Sequence, residues 1–293
     1  MSPVVPSAWE VSGRRIPVDS PVVMGILNLT PDSFSDGGEL HDLDSALRRG
    51  ERMVEEGAHI LDVGGESTRP GAVPVKDSEE LRRVAPVVEA LTRRLDVPIS
   101  VDTRKATVAQ AALEAGAVIV NDVSGLSFDP GMGQVVAAGG AGVVLMHMRG
   151  VPSDMQERTH YADVVGEVVR ELGDAVDRAN RAGIARSAIV VDPGFGFAKT
   201  PAQSFALLGR LDRLRELGFP VLVGLSRKSF LGEVTGAPPP DRAVATSAAC
   251  VIAYLGGARI FRVHDVAPVV QALSVAAAVE GEGAVSDESI QVR

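Results

Sequence analysis

Aromatic side chains make up only 4% of this 293-residue chain, and there is a single cysteine. Cys250 has no partner for an internal disulfide and sits in the helix-like run TSAACVIAYL, so it reads as a small buried hydrophobe, and redox chemistry is not indicated. No apolar run approaches the roughly 20 residues a membrane span needs. The opening stretch MSPVVPSAWE also lacks the basic and apolar regions of a secretory signal, so the expectation is a soluble, cytoplasmic protein without a membrane partner. Basic residues are scarce as well: 29 Lys and Arg against 38 Asp and Glu leave a net charge of −9. Nucleic acid and anionic lipid select basic surfaces, which argues against both as partners. Any anionic ligand must therefore meet a local cluster of Lys and Arg. The five histidines form neither H-x-H nor H-E-x-x-H, which disfavours a zinc site made of protein ligands. No nucleophile elbow frames a Ser-His-Asp triad. The GFGF run at 194–197 is not a dinucleotide loop, because Lys199 stands where the third glycine of G-x-G-x-x-G is required.

What the chain does have is a repeated alternation. Short apolar, β-rich runs recur at 22–27, 59–63, 98–101, 117–120, 142–146, 188–191, 220–223 and 259–263. Amphipathic segments of helical length lie between them, among them 43–56, 78–95, 105–115, 161–182 and 265–279. Strand and helix in strict alternation imply parallel strands joined by right-handed crossovers. Eight such units in this length predict a closed (β/α)₈ TIM barrel of class α/β, with a doubly wound open sheet as the rival. Residues 8–19 alternate and turn at Ser12-Gly13, predicting a short hairpin that plugs or edges the barrel. The expected organisation is an extension over 1–20, one barrel domain over 21–280, and a frayed, acidic tail over 281–293.

In such a barrel the C-terminal strand ends build the active site. Here they are polar nearly everywhere: Asn28 to Asp36 after the first strand, DVGGESTRPGA from Asp62, DTRK from Asp102, NDVSG from Asn121, MHMRG from Met146, DPGFGFAK from Asp192, GLSRKSFLG from Gly224, and RVHD from Arg262. Any one carboxylate here could serve only as a helix cap. Several carboxylates converging with Lys228, Arg262 and His264 on one rim instead point to a site for a ligand. Ser226, Arg227, Lys228, Arg262 and His264 occupy the strand-seven and strand-eight loops, where these barrels commonly bind phosphate. The residues leave open that one of these cations merely pairs with Asp102 or Asp192.

Two long runs, MGILNLTPDSFSDGG and GAHILDVGGESTRPGA, and six later blocks in order, VDTRKA, NDVSG, LMHMRG, DPGFGFAKT, GLSRKSFLG and RVHDV, make the chain resemble the dihydropteroate synthase family over roughly residues 21–275. The resemblance implies a transferase of folate biosynthesis that condenses (7,8-dihydropterin-6-yl)methyl diphosphate with 4-aminobenzoate. By that resemblance the pterin meets Asp102, Asn121, Met146, Asp192, Gly224 and Lys228, and the diphosphate meets Asn28, Thr68, Arg262 and His264. Asn28 would also hold Mg²⁺, the implied cofactor. Phe34, Pro70, Phe197 and Ser229 would surround 4-aminobenzoate, which sulfonamides mimic, while Ser35 and Arg69 order the first two loops. The implied catalytic group is Asp102, Lys228, Arg262 and His264. Residues 31–38 are expected to form a flap, and a homodimer is implied, through helices near 246–255 and 267–279. Alternatives are a related barrel that passes a methyl group from methyltetrahydrofolate to a corrinoid protein, or a silent pterin-binding paralogue.

Overall fold

The structure is a computed structural model that describes residues 5–29 and 38–282. The chain opens with an antiparallel hairpin, β1 (Ala8–Val11) and β2 (Arg14–Pro17), in which Trp9 lies opposite Ile16. Its two-residue turn needs positive φ at both positions, and Ser12 at 45° and Gly13 at 77° supply it.

Eight parallel strands follow: β3 (Val22–Asn28), β4 (Ile60–Gly64), β5 (Ile99–Asp102), β6 (Ile119–Asp122), β7 (Gly142–Met146), β8 (Ile189–Asp192), β9 (Leu222–Val223) and β10 (Ile260–Val263). Around the ring they run β8-β7-β6-β5-β4-β3-β10-β9. The last seam is narrow, a single bridge from Val191 to Val221 reinforced by the Val191 N–H donating to Pro220 O at 3.1 Å. The helices outside the ring are α1 (Gly38–Glu55), α2 (Asp77–Arg94), α3 (Ala106–Glu114), α4 (Met132–Gly139), α5 (Val164–Arg181), α6 (Pro201–Leu208), α7 (Ser229–Thr235), α8 (Ala243–Leu255) and α9 (Val266–Glu282). The architecture is thus the (β/α)₈ barrel with an N-terminal hairpin that the alternation predicts. The predicted tail beyond residue 282 lies outside the described residues.

Successive strand residues point to opposite sides of the ring. One set, including Val23, Leu27, Leu61, Val101, Val143, Leu145 and Phe261, packs with the helices in the main core. The other set fills the interior. Met24, Ile60, Ile119, Val144, Val190, Leu222 and Ile260 form one buried cluster with Trp9, Val11, Ile16 and Val18 of the hairpin segment. The hairpin is therefore a plug in the N-terminal mouth. Trp9 is fully buried and its indole N–H donates to Ala188 O at 2.8 Å. Gly142 permits this approach, since a Cβ there would lie 2.3 Å from Val11 Cγ1.

Three helices depart from the sequence expectation, α9 by running on to Glu282 where the amphipathic segment was expected to end at 279. Helix α1 starts at Gly38 rather than residue 43. Helix α5 starts at Val164 rather than residue 161, because the Glu167 carboxylate accepts the N–H groups of Ala162 (2.7 Å) and Asp163 (2.9 Å) and holds both outside the helix.

Trp9→Ala removes the centre of the plug together with its hydrogen bond, and is expected to cost about 3–5 kcal/mol, as truncations of buried aromatics do. Urea denaturation followed by far-UV circular dichroism checks this, and a midpoint unchanged from wild type would contradict the plug's contribution.

Candidate active site

Opposite the plug, at the C-terminal mouth, the strand ends and loops enclose a cleft of about 410 Å³. Its depth follows from strand parity. One step up the barrel from the apolar cluster, the inward positions on β4, β5, β6, β8 and β10 are Asp62, Asp102, Asn121, Asp192 and Arg262, each two residues beyond an interior residue.

Arg262 organises the floor. Its Nε donates to Asp62 Oδ2 at 2.5 Å and its Nη2 to Asp102 Oδ2 at 2.6 Å. Asn121 Nδ2 donates to the same Asp62 oxygen at 3.1 Å. Burial works against the Arg262 charge, but Asp62 and Asp102 overcome it and raise its pKa. Burial pushes Asp102 up to about 7 against the pull of Arg262, with Asp62 adding to the rise. Asp102 Oδ1 is buried with no partner among the described residues, so it is a free acceptor on the cleft wall. The sequence resemblance places Arg262 with a diphosphate. In the structure two of its donors are already committed to carboxylates, the pairing with Asp102 that the residues alone left open.

Asp192 and Lys228 face each other across the cleft. Asp192 Oδ1 accepts the Gly194 N–H at 2.7 Å, and burial raises its carboxyl to about 6 against that hydrogen bond and the nearby Lys228. Lys228 Nζ stands 4.1 Å from the centroid of the Phe197 ring; burial lowers it to about 8, with Asp192 opposing and Arg262 adding to the fall. Gly224 stands beside Asp192, where a Cβ would make an ordinary van der Waals contact with Asp192 Oδ2 at 4.0 Å. Met146 and Phe197 join Val123 and Met155 in a small apolar cluster that lines the same space.

The β8–α6 loop is pinned from behind. Lys199 is 2% exposed, and its ammonium meets His147 Nδ1 (2.9 Å), Gly194 O (3.0 Å) and Phe197 O (3.0 Å), one acceptor for each of its three donors. His147 Nε2 in turn contacts Glu171 at 2.9 Å. Burial lowers both groups, Lys199 to about 7 and His147 to about 4, so His147 is a neutral imidazole whose Nδ1 accepts from Lys199.

The rim toward β10 is cationic. His264 Nδ1 lies 3.0 Å from Ser226 Oγ, and burial, followed by Arg262, Arg227, Arg49 and Arg69, drives its pKa down to about 3. Arg227, with a φ of 60°, is held by a bidentate pair to Asp265 at 2.7 and 3.0 Å. Asn28, Thr68 and His264 line this side of the cleft; Pro70 and Ser229 line it too, as exposed residues at its mouth. Phe34, Ser35 and residues 30–37 of the first loop lie outside the described residues. The second loop is clipped by Lys105, whose ammonium donates to Glu66, Glu80 and Val75 O.

Among the described residues no cluster of His, Cys, Asp or Glu could by itself hold a metal ion. The donor chemistry instead suits a hard cation that arrives with phosphate oxygens and takes a single amide oxygen, such as Asn28 Oδ1, from the protein.

Thirteen of the fourteen residues that the resemblance sets against a ligand line this one cleft, the fourteenth being Phe34, and Arg69, Ser226 and Arg227 line it as well. Asp62, Lys199, His147 and Lys105 were not among them. The signal for Asp62 is its parity, two residues after the inward Ile60 in an otherwise apolar strand.

The sequence pattern of the family described as "Pterin binding enzyme" matches residues 24–264. The dihydropteroate synthase of Synechocystis sp. is 51% identical over 255 residues, spanning 87% of this chain and 88% of that protein. That of Escherichia coli K12 is 47% identical over 263 residues, spanning 90% and 93%. Among solved structures, the Xanthomonas albilineans dihydropteroate synthase with 4-aminobenzoic acid superposes with a TM-score of 0.88 at 48% identity, covering 96% of this chain and 99% of that one. The Yersinia pestis enzyme in complex with a sulfonamide drug gives 0.89 at 44% identity, covering 94% and 99%. A pattern that runs from β3 to just past β10, with relatives this similar along nearly their full length, means that the chain belongs to the pterin binding enzyme family, among its dihydropteroate synthases.

Proposed function

We propose that this protein condenses (7,8-dihydropterin-6-yl)methyl diphosphate with 4-aminobenzoate, releasing diphosphate and forming 7,8-dihydropteroate for folate biosynthesis. The observation that carries this reading is one cleft whose buried floor sets Asp192, Asp102 and Asn121 beside the Arg262 cation, with Lys228 and the neutral imidazole of His264 on its walls. A pterin's pyrimidine edge offers adjacent N–H groups that a carboxylate accepts in pairs, which assigns that edge to Asp192. Asn121 and Lys228 complete the in-plane contacts, and Met146 covers one face. Asp102 Oδ1, without a partner among the described residues, would steady positive charge as the pterin methylene parts from diphosphate.

The diphosphate belongs at the rim with His264, Asn28, Thr68 and Arg262, whose guanidinium keeps three N–H donors beyond the two given to Asp62 and Asp102, enough for a phosphate oxygen and the pterin ring alike. Asn28 would hold Mg²⁺ together with phosphate oxygens, and the ion would supply neutralisation of leaving-group charge. The amine of 4-aminobenzoate is its own nucleophile, so the protein's task is positioning and electrostatics. Its ring fits beside Phe197 and Pro70, with Ser229 at the carboxylate end. The solved Xanthomonas albilineans relatives with 4-aminobenzoic acid and with 7,8-dihydropteroate support small molecules of this kind as ligands.

A homodimer is part of the same proposal. Val244, Ile252 and Leu255 on α8 and Val275 and Val279 on α9 are all more than half exposed, a concentration of apolar surface that favours a second copy of the chain. A cytoplasmic location is also proposed; no described helix is long and apolar enough to cross a membrane.

Purified protein with Mg²⁺ is expected to form dihydropteroate from the two substrates, with sulfonamides competing against 4-aminobenzoate. Diphosphate release that ignores 4-aminobenzoate, or no release, would overturn the reading. Asp192→Asn loses the charged acceptor and is expected to weaken dihydropterin binding at least about ten-fold, since a hydrogen bond to a charged group contributes about 1.5–3 kcal/mol; calorimetry checks it. Asp102 and Asp192 act as anions and are raised to about 7 and about 6, so kcat/KM should fall as pH drops through these values. Lys228 acts as the cation and titrates near 8, so kcat/KM should fall again as pH rises through it. An acid limb that survives in Asp192→Asn would assign it to another group. Sedimentation should show a dimer, and Leu255→Asp should shift it toward monomer; a monomeric wild type would refute the interface.

A further inference from the structure

Asp62 takes no part in the chemistry above and does not line the cleft, yet it is a fully enclosed charge in the barrel. Fold stability does not account for it. Arg262 is already paired with Asp102, and a second buried carboxylate on one guanidinium leaves uncompensated negative charge, which costs more than a one-to-one pair.

Its geometry does account for it. One oxygen of Asp62, Oδ2, accepts from Arg262 Nε on β10 and from Asn121 Nδ2 on β6, joining two strands on different sides of β4. A guanidinium is planar, so anchoring Nε on Asp62 and Nη2 on Asp102 fixes its plane and leaves Nη1 as the donor without a carboxylate. For Asn121 the effect is on polarity. A carboxylate accepts only from a donor, so Asp62 draws the amide nitrogen inward and turns Asn121 Oδ1 to the cleft, where it accepts an N–H. Sharing Arg262 also leaves Asp102 Oδ1 unpartnered.

We propose that Asp62 is a positioning residue of the pterin pocket: it fixes the guanidinium plane of Arg262 and the amide orientation of Asn121, so that one donor and one acceptor meet the pterin ring. This rests on the pterin-condensing reading above.

The test is Asp62→Asn, which keeps the shape and removes the charge. Expected is a ten-fold or greater loss both in dihydropterin affinity, by calorimetry with the hydroxymethyl compound lacking diphosphate, and in kcat. KM for 4-aminobenzoate should stay within two-fold of wild type, because Phe197 and Ser229 are held by other contacts. In an Arg262→Ala background the same change should cost less than it does in wild type, since one of its two partners is gone and only the part that acts through Asn121 remains. The proposal is overturned if Asp62→Asn keeps pterin affinity and kcat within two-fold. It is also overturned if the two losses multiply in full, or if the 4-aminobenzoate KM moves as far as pterin affinity. Should Asp62→Asn not fold, Asn121 gives the answer with Asp62 intact. Asn121→Asp, which sets a carboxylate against Asp62, must lose more pterin affinity than Asn121→Ser, and equal losses overturn the proposal. Wild type is assayed beside them: a wild type that makes no dihydropteroate sinks the condensing reading, whereas an active wild type beside an unimpaired Asp62→Asn sinks only the positioning role.

Discussion

The closed ring of strands imposes the constraint from which the rest follows. Every second side chain must enter an interior too narrow to hold water and side chains together, so the interior fills in layers. The lower layer here is aliphatic, from Met24, Ile60, Ile119, Val144, Val190, Leu222 and Ile260, and the hairpin seals it with Trp9. The next layer carries Asp62, Asp102, Asn121, Asp192 and Arg262. Charges standing on a dry, apolar base interact in a low local dielectric, where each is costly unpaired and effective toward a ligand. The depressed Lys228 and raised Asp102 and Asp192 all have burial as their leading cause.

Loops supply the upper wall of the cleft, and buried cations make them rigid. Lys199 holds the carbonyls of Gly194 and Phe197, and Lys105 holds that of Val75. Left-handed backbone at non-glycine residues is tolerated next to such anchors: Ala198, at φ 50°, lies between Phe197 and Lys199, and Arg227, at φ 60°, is fixed by Asp265 and Thr246. Conformations of this kind cost of order 1–3 kcal/mol and persist where the surroundings over-determine them.

Much of this was legible in the chain. Asp102, Asn121 and Asp192 follow directly on short apolar runs, and Arg262 is one residue from the end of its run, so a barrel reading alone brings them to one rim. Asp62 was not legible in the same way, because it sits inside a strand and its direction depends on register with Asn121 and Arg262, 59 and 200 residues away. Lys199 and His147 are 52 residues apart, and nothing local to either announces the contact. The start of α5 was misplaced because a side chain three positions into the helix, Glu167, competes for backbone groups that periodicity counts as helical. Local pattern settles which residues form strands and which rim they reach; long-range hydrogen bonds settle how each polar group is turned.

The hairpin plug has a consequence for traffic. A barrel stoppered at one end is a cup with a single opening, so every molecule that enters must leave by the way it came. Asp192, Asn121 and Arg262 lie deep on the strands, while Pro70 and Ser229 stand exposed at the lip. Whatever settles on the floor is therefore covered by what binds at the lip. On the proposed reading, a compound resting against Ser229 and Phe197 would lie across the way out for a ligand on the floor.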